Sequence, residues 1–173
     1  MKSFRRLALA LVGLTVPVAG GATAWLTEAD AAVPATVSQP HGVNFTIHTS
    51  VDPNFCLEDI PAPAVPASQA SMSQCAVRDG QHWTFADPAD GSIVIIGGNT
   101  GNCLDFTAKV SSPVSMKPCT FNANERFLYN AKGQIELASG TKCLEPAQAT
   151  QDSGVSIQKC QKGVALQIWM LGH

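Results

Sequence analysis

The chain has 173 residues, of which 45% are hydrophobic and only 14% are charged, and its formal net charge is −2. This length predicts about one domain. The low charge content argues against a coiled coil or a charge-driven disordered chain, and the slightly acidic balance offers no basic surface for nucleic acid. We therefore expect one folded domain that does not bind nucleic acid.

The N-terminus has the pattern of a secretory signal peptide. Basic residues open the chain, Leu7–Leu26 follow without a charge, and Ala29–Ala31 offer a small-x-small cleavage site. The alternative is a membrane anchor, since an uncharged run of this length can span a bilayer, but its proline and glycines dilute its hydrophobicity. We expect residues 1–31 to be a signal peptide, 32–42 to be a flexible lead-in, and the rest to be secreted without a membrane span.

Six cysteines fall into three pairs along the rest of the chain. The separations within the pairs are 19, 16 and 17 residues. Export would supply an oxidising compartment, where an even cysteine count indicates a disulfide framework. No Cys-x-x-Cys occurs, so a zinc site or a thioredoxin-like redox motif has no support. The cysteines are Cys56 and Cys75, Cys103 and Cys119, and Cys143 and Cys160.

The sequence around these pairs repeats three times. The first cysteine of each pair is followed by Leu and an acidic residue, and a Gln-x-Trp-like motif follows each second cysteine. The period is 47 residues and then 40, which indicates a repeat architecture. The motifs are Cys56-Leu57-Glu58 with Gln81-His82-Trp83, Cys103-Leu104-Asp105 with Glu125-Arg126-Phe127, and Cys143-Leu144-Glu145 with Gln167-Ile168-Trp169.

Short stretches with a period of two residues predict β-strands within these units. Val43–His48 alternates, Ser92–Ile96 is a β-branched run, and two further stretches flank the hairpin turn Ala131–Gly133. No amphipathic helix pattern persists for three turns after the signal. Many short strands with threefold repetition favour a barrel closed by three equivalent units.

These motifs together resemble the ricin B-type lectin family, whose β-trefoil modules bind carbohydrate. The match covers about residues 43–173, with repeats at about 43–90, 91–133 and 134–173. The resemblance implies an all-β β-trefoil with twelve strands. It also implies one disulfide within each repeat, namely Cys56–Cys75, Cys103–Cys119 and Cys143–Cys160, and a shared core that contains Trp83, Phe127 and Trp169.

The resemblance also indicates where a carbohydrate would bind. Family sites use the acidic residue two positions after the first cysteine, an aromatic residue shortly before the second, and an Asn before the Gln-x-Trp motif. Asp105 and Asn124 stand at two of these places in the second repeat. The alternative is that Asp105 caps a turn and that Asn124 is an ordinary loop residue. The first and third repeats have Glu58 and Glu145 as the acid but lack the Asn. The aromatic place holds Ser73, Lys117 and Gln158, so Phe106 or Tyr129 would have to supply the ring.

The sequence therefore predicts a secreted, stand-alone lectin-like protein that binds a glycan or polysaccharide weakly through its second repeat. The missing aromatic residues leave an alternative, a degenerate trefoil that binds an extracellular protein or inhibits an extracellular enzyme. We expect no enzymatic activity, because the four histidines lie in no catalytic motif and no carboxylate pair points to glycosidase chemistry. Neither a cofactor nor a metal ion is expected.

Overall fold

The computed structural model describes residues 38–61, 68–106 and 110–173. The predicted signal peptide, residues 1–31, and most of the predicted lead-in lie outside the described residues. The described part of the chain contains no helix with the length and apolar character that a bilayer crossing requires.

The described residues form an all-β structure of twelve strands, which confirms the predicted fold class. Two short 3-10 turns, Asp79–Gln81 and Ala165–Gln167, precede the fourth and the last strand. The strands are β1 (Gly42–Thr49), β2 (Phe55–Ile60), β3 (Gln69–Gln74), β4 (Trp83–Ala86), β5 (Ile93–Gly97), β6 (Cys103–Asp105), β7 (Ser115–Lys117), β8 (Arg126–Tyr129), β9 (Ile135–Leu137), β10 (Lys142–Pro146), β11 (Val155–Lys159) and β12 (Trp169–Gly172).

Strand pairing follows the threefold repeat of the sequence. One set of strands runs β1, β4, β5, β8 and β9 in hydrogen-bonded order, and β12 pairs back onto β1. The other strands form three hairpins, β2–β3, β6–β7 and β10–β11, and each hairpin begins at the first cysteine of a pair or one residue before it. The three hairpins have the same register. In each, the Leu after the cysteine faces an apolar residue: Leu57 faces Met72, Leu104 faces Met116, and Leu144 faces Ile157.

The core contains the aromatic residue of each Gln-x-Trp-like motif. Trp83, Phe127 and Trp169 are at most 1% exposed and lie in one apolar cluster. The two indole N–H groups are satisfied inside the core, because Trp83 donates to Leu57 O at 3.1 Å and Trp169 donates to Leu144 O at 3.0 Å. Burial of large aromatic side chains supplies a major part of the hydrophobic stabilisation in a small domain.

Three disulfides connect residues within a repeat, never between repeats, among the described cysteines. They join Cys56 to Cys75, Cys103 to Cys119, and Cys143 to Cys160, which is the pairing that the family resemblance implies. Each bond ties a hairpin to the segment that leads into the next strand. In the chain-entropy account, a loop of this size stabilises the folded state by about 3 kcal/mol.

Candidate functional site

Asp105 lies at the end of β6 and is buried, with a side chain only 2% exposed. Across the β6–β7 hairpin, the Lys117 ammonium lies 2.7 Å from Asp105 Oδ1, and the lysine side chain is 43% exposed. Apart from this ion pair, Oδ1 accepts no hydrogen bond among the described residues. Lys117 therefore places its positive charge between a buried carboxylate and solvent.

Asn124 is exposed and lies in the loop between β7 and β8. Its carbonyl accepts a hydrogen bond of 3.0 Å from the backbone N–H of Phe106, the residue that follows Asp105. Its own N–H donates to Asn122 Oδ1 at 2.7 Å, which fixes the loop locally. The structure thus brings Asp105 and Asn124, the two predicted site residues, to neighbouring backbone positions.

The acids of the first and third repeats are bound by a glutamine of their own repeat. Gln81 Nε2 donates to Glu58 Oε2 at 3.2 Å, and Gln167 Nε2 donates to Glu145 Oε2 at 2.6 Å. Both glutamine side chains are fully buried. Arg78 adds an ion pair to Glu58 at 3.3 Å. These two carboxylates therefore have structural partners that hold each Gln-x-Trp motif against its hairpin.

The second repeat has Glu125 where the others have glutamine, and this changes the network. An ionised carboxylate only accepts hydrogen bonds. Glu125 accepts from the backbone N–H groups of Thr120 and Phe121, from the Thr120 hydroxyl at 2.9 Å, and from Asn122 Nδ2 at 3.4 Å. It therefore organises the β7–β8 loop and donates nothing to Asp105.

Lys117 compensates the buried acid of the second repeat. A buried carboxylate is unfavourable unless a cation or hydrogen bonds compensate its charge. Lys117 provides that cation from the place where the family has an aromatic residue. Glu125 stands at the place of Gln81 and Gln167, so the Lys117–Asp105 ion pair takes the part that a glutamine has for the acid of each other repeat, which the sequence alone left unexplained.

The described residues place no aromatic ring at the expected platform position. Phe106 is 3% exposed, and the Lys142 ammonium lies 5.0 Å from its ring centroid. Tyr129 is half-buried and its hydroxyl donates to Trp169 O at 2.9 Å, while burial raises its pKa. The platform positions face the first cysteine of each hairpin and hold Ser73, Lys117 and Gln158.

Phe121 is an exposed aromatic residue that sequence reasoning missed. Its side chain is 38% exposed, and it lies in the same loop as Asn124. Its backbone has a positive φ of 56°, and its N–H donates to Glu125. The sequence signal for this loop was Glu125, because a hydrogen-bond acceptor four residues after Phe121 can fix the conformation of the loop.

Asp59 is a buried carboxyl group that the sequence did not single out. Its Oδ2 accepts hydrogen bonds from the backbone N–H and the hydroxyl of Thr100, at 2.8 and 2.7 Å, while Oδ1 has no partner among the described residues. Burial is the largest effect on this group and raises its pKa above the ordinary value. Asp59 connects β2 to the turn between β5 and β6, so its role in the described structure is to join the first repeat to the second.

His48 lies against the first disulfide but does not create a metal centre there. Its Nδ1 is 3.4 Å from Cys56 Sγ and 3.5 Å from Cys75 Sγ. Metal ions bind cysteine as the thiolate. Both sulfur atoms are joined to each other, so this cluster offers a metal ion one imidazole and no thiolate.

Comparison with protein families identifies the lectin-like part of the chain. The model of the ricin-type beta-trefoil lectin domain matches residues 91–173, which are the predicted second and third repeats. No curated protein sequence matches the chain.

Solved structures share the fold at low sequence identity. A designed threefold symmetric protein, ThreeFoil, is 18% identical with a TM-score of 0.62, over 75% of this chain and 97% of that chain. The agglutinin of Rhizoctonia solani is 15% identical with a TM-score of 0.62, over 78% and 96%. A non-toxic homologue of type II RIPs from Momordica charantia, in complex with α-methyl-D-galactoside, is 22% identical with a TM-score of 0.61, over 78% and 49%.

The chain spans only part of some of the proteins it resembles. It covers 17% of a mosquitocidal holotoxin and about half of the Momordica charantia chain. At these identities the likeness shows the fold and leaves ligand and partners to be argued from the site.

Proposed function

We propose that the chain is a secreted protein that binds a glycan or polysaccharide weakly through its second repeat. The match of residues 91–173 to the model of the ricin-type beta-trefoil lectin domain supports this proposal. Secretion is supported by the N-terminal sequence pattern and by the three disulfides, which persist in oxidising compartments. The site is formed by Asp105, Lys117 and Asn124.

The observation that carries this proposal is that the acidic residue has a different partner in the second repeat than in the other two. Glu58 and Glu145 each accept a hydrogen bond from a buried glutamine, whereas Asp105 Oδ1 has a half-exposed lysine as its partner. Asp105 Oδ1 is itself buried, so a ligand reaches it only when the half-exposed Lys117 side chain swings aside. A buried amide cannot be displaced in this way without disturbing the core. The second repeat therefore has the carboxylate that a ligand can engage.

A sugar hydroxyl matches this pair of groups. A hydroxyl both donates and accepts, so it can accept from the Lys117 ammonium while it donates to Asp105 Oδ1. Asn124 presents an exposed amide on the adjoining loop, and Phe121 gives the same loop an apolar surface for the C–H face of a sugar ring. Hydrogen bonds to ionised groups are the stronger ones, and they give the site its orientation.

We expect weak binding from a site of this kind. A few hydrogen bonds without a ring at the family's platform position correspond to about −4 to −6 kcal/mol, a dissociation constant in the high micromolar to millimolar range. The proposal has one working site, so it predicts no avidity from several repeats of one chain.

A glycan array tests the proposal with the purified, fully oxidised protein and three variants. Asn124→Ala removes an exposed amide but keeps the backbone carbonyl that binds Phe106, so the variant should fold normally. Asp105→Ala removes the carboxylate, and its thermal unfolding is measured in parallel because it leaves Lys117 without its ion-pair partner. Asn54→Ala is the matched control, since Asn54 is also exposed and lies in a loop of the first repeat.

We expect Asn124→Ala and Asp105→Ala each to weaken binding of the strongest glycan on the array and Asn54→Ala to leave it unchanged. Binding of that glycan that neither second-repeat substitution weakens would contradict the proposed site. A folded, oxidised protein that binds no glycan would contradict the lectin function and favour the alternative, a trefoil that binds an extracellular protein.

A further inference from the structure

A second concave surface lies outside the site described above. It is a pocket of about 660 Å³ between the residues before β1, the turn between β4 and β5, and β8. Its walls include Ser38, Gln39, His41, Asp87, Leu128 and Asn130, and they share no residue with the second-repeat site. This volume is within the range of pockets that bind small molecules in proteins. We name it the lead-in pocket.

Two amide side chains hold the walls of the lead-in pocket in place. Gln39 Nε2 donates to Tyr129 O at 3.3 Å, and Tyr129 N–H donates back to Gln39 Oε1 at 2.7 Å. Asn130 Oδ1 accepts from the N–H groups of Lys132 and Gln134 at 3.0 and 3.1 Å. These contacts attach the chain before β1 to β8, so the pocket is formed before a ligand arrives.

Two polar side chains of the pocket are well exposed among the described residues. His41 Nε2 and Asp87 Oδ2 are 4.0 Å apart, and their side chains are 40% and 53% exposed. This distance is too long for a direct hydrogen bond. Asp87 Oδ1 accepts from Ala89 N–H at 2.6 Å, which fixes the carboxylate and leaves Oδ2 as the oxygen opposite His41 Nε2.

A hydroxyl group fits between these two atoms. An oxygen about 2.8 Å from each can donate to Asp87 Oδ2 and, in the tautomer with a hydrogen on Nε2, accept from His41, both at ordinary hydrogen-bond lengths. Leu128 and Ala89 add carbon surface beside this pair. A small ligand with several hydroxyls and an exposed C–H face satisfies both kinds of wall.

The charges of the pocket select against anionic ligands. The described residues that line it include one carboxylate and one imidazole but neither lysine nor arginine. Arg126 lies on the same strand as Leu128, but its guanidinium pairs with Asp90 and its Nε–H donates to Phe121 O. The ligand class that fits best is therefore a neutral, polyhydroxylated molecule.

We propose that the lead-in pocket is a second saccharide-binding site, which takes a neutral mono- or disaccharide through Asp87, His41 and the Leu128 side chain. The ligand class rests on the proposed lectin function, but the site is separate from Asp105, Lys117 and Asn124. The protein then contacts a glycan at two places of different chemistry, one built on a carboxylate–ammonium pair and one on a carboxylate–imidazole pair.

NMR titration of the isotope-labelled protein with neutral mono- and disaccharides of glucose, galactose and mannose tests this proposal. The expected result is a saturable shift of the backbone amides of residues 87–91 and 128–130. Asp87→Asn keeps an oxygen for the bond from Ala89 but loses the charge, so it should weaken this binding about tenfold. Asp52→Asn is the matched control, because Asp52 Oδ1 accepts from Asn54 N–H in the same way on another loop, and it should change binding less than about twofold.

The outcomes separate the two sites. The absence of saturable shifts at these amides with every sugar, or equal effects of Asp87→Asn and Asp52→Asn, would overturn the lead-in pocket. Asn124→Ala should leave the pocket shifts unchanged. Saturable shifts at the pocket amides, together with glycan binding that does not depend on Asn124, would overturn the second-repeat site alone. Glycan binding that depends on Asn124, without shifts at the pocket amides, would overturn the pocket alone.

Discussion

The substitution Gln167→Glu tests the electrostatic explanation of the second repeat by copying it into the third. It would place a second carboxylate against Glu145 at a position that is fully buried. The third repeat then has acidic residues at the places of Asp105 and Glu125 in the second, but without a lysine at the equivalent place, because Gln158 occupies the position of Lys117.

The structure gives the size of the expected effect. Gln167 Nε2 now donates to Glu145 Oε2 at 2.6 Å and to Lys159 O at 2.9 Å, and a carboxylate can make neither bond. The loss of a hydrogen bond to a charged group and the contact of a buried carboxylate with the half-buried Glu145 together correspond to roughly 3–5 kcal/mol. A domain of ordinary stability has about 5–15 kcal/mol in total, so the variant should be close to its limit at neutral pH.

The effect should also depend on pH. Contact between Glu145 and the carboxylate introduced at position 167 disfavours ionisation, so the folded variant would bind a proton more tightly than the unfolded chain does. Its free energy of unfolding, relative to that of the original protein, should therefore decrease as the pH rises from about 4 to about 7. Urea denaturation of the variant and the original protein at several pH values measures this difference.

A second substitution completes the test. Gln158→Lys in the Gln167→Glu background places an ammonium where the second repeat has Lys117, and we expect it to recover about half of the lost free energy of unfolding through the new ion pair. Gln158→Lys alone is the control and should have a small effect. A loss below about 1 kcal/mol for Gln167→Glu at neutral pH, or no recovery in the double variant, would refute the explanation.

Two further predictions concern the fold. Burial raises the pKa of Asp59 above its ordinary value of 3.8, so the folded protein holds this proton more tightly than the unfolded chain and loses stability as the pH rises above 3.8. Asp59→Asn should remove this loss. Urea denaturation from about pH 3 to 7 checks this, and the same pH dependence of the free energy of unfolding in the variant and the original protein would contradict it. Trp169→Phe should cost about 1–3 kcal/mol because it leaves the buried Leu144 carbonyl without its donor. Thermal unfolding measures this cost, and an unchanged melting temperature would contradict it.

The repeat pattern of the sequence predicted most of the fold. The Cys-Leu-acid motifs mark the start of β2, β6 and β10, and the Leu of each motif is fully buried in the core. The pairing of β12 with β1 joins the two ends of the described domain, and no local pattern encodes such a contact. It follows from the threefold architecture that the resemblance implied.

For the candidate site, the sequence predicted which residues to consider but not the contacts that they make. Asp105 and Asn124 were proposed because they stand at family positions, but the contact of Lys117 with Asp105 depends on the register of the β6–β7 hairpin. Asp59 was missed because its partner Thr100 is 41 residues away, and Gln39 was placed in a lead-in because its bonds to Tyr129 are 90 residues away. Contacts between distant polar residues have no periodicity that a single sequence displays.

A crystal structure of the protein with the strongest ligand from the glycan array tests most directly whether the second repeat binds carbohydrate. We expect a sugar hydroxyl within hydrogen-bond distance of Asp105 Oδ1 and of the Lys117 ammonium, with a second contact to the Asn124 amide. A sugar bound at the first or third repeat, with the Asp105–Lys117 pair unchanged and unoccupied, would contradict the claim that the second repeat is the carbohydrate-binding site.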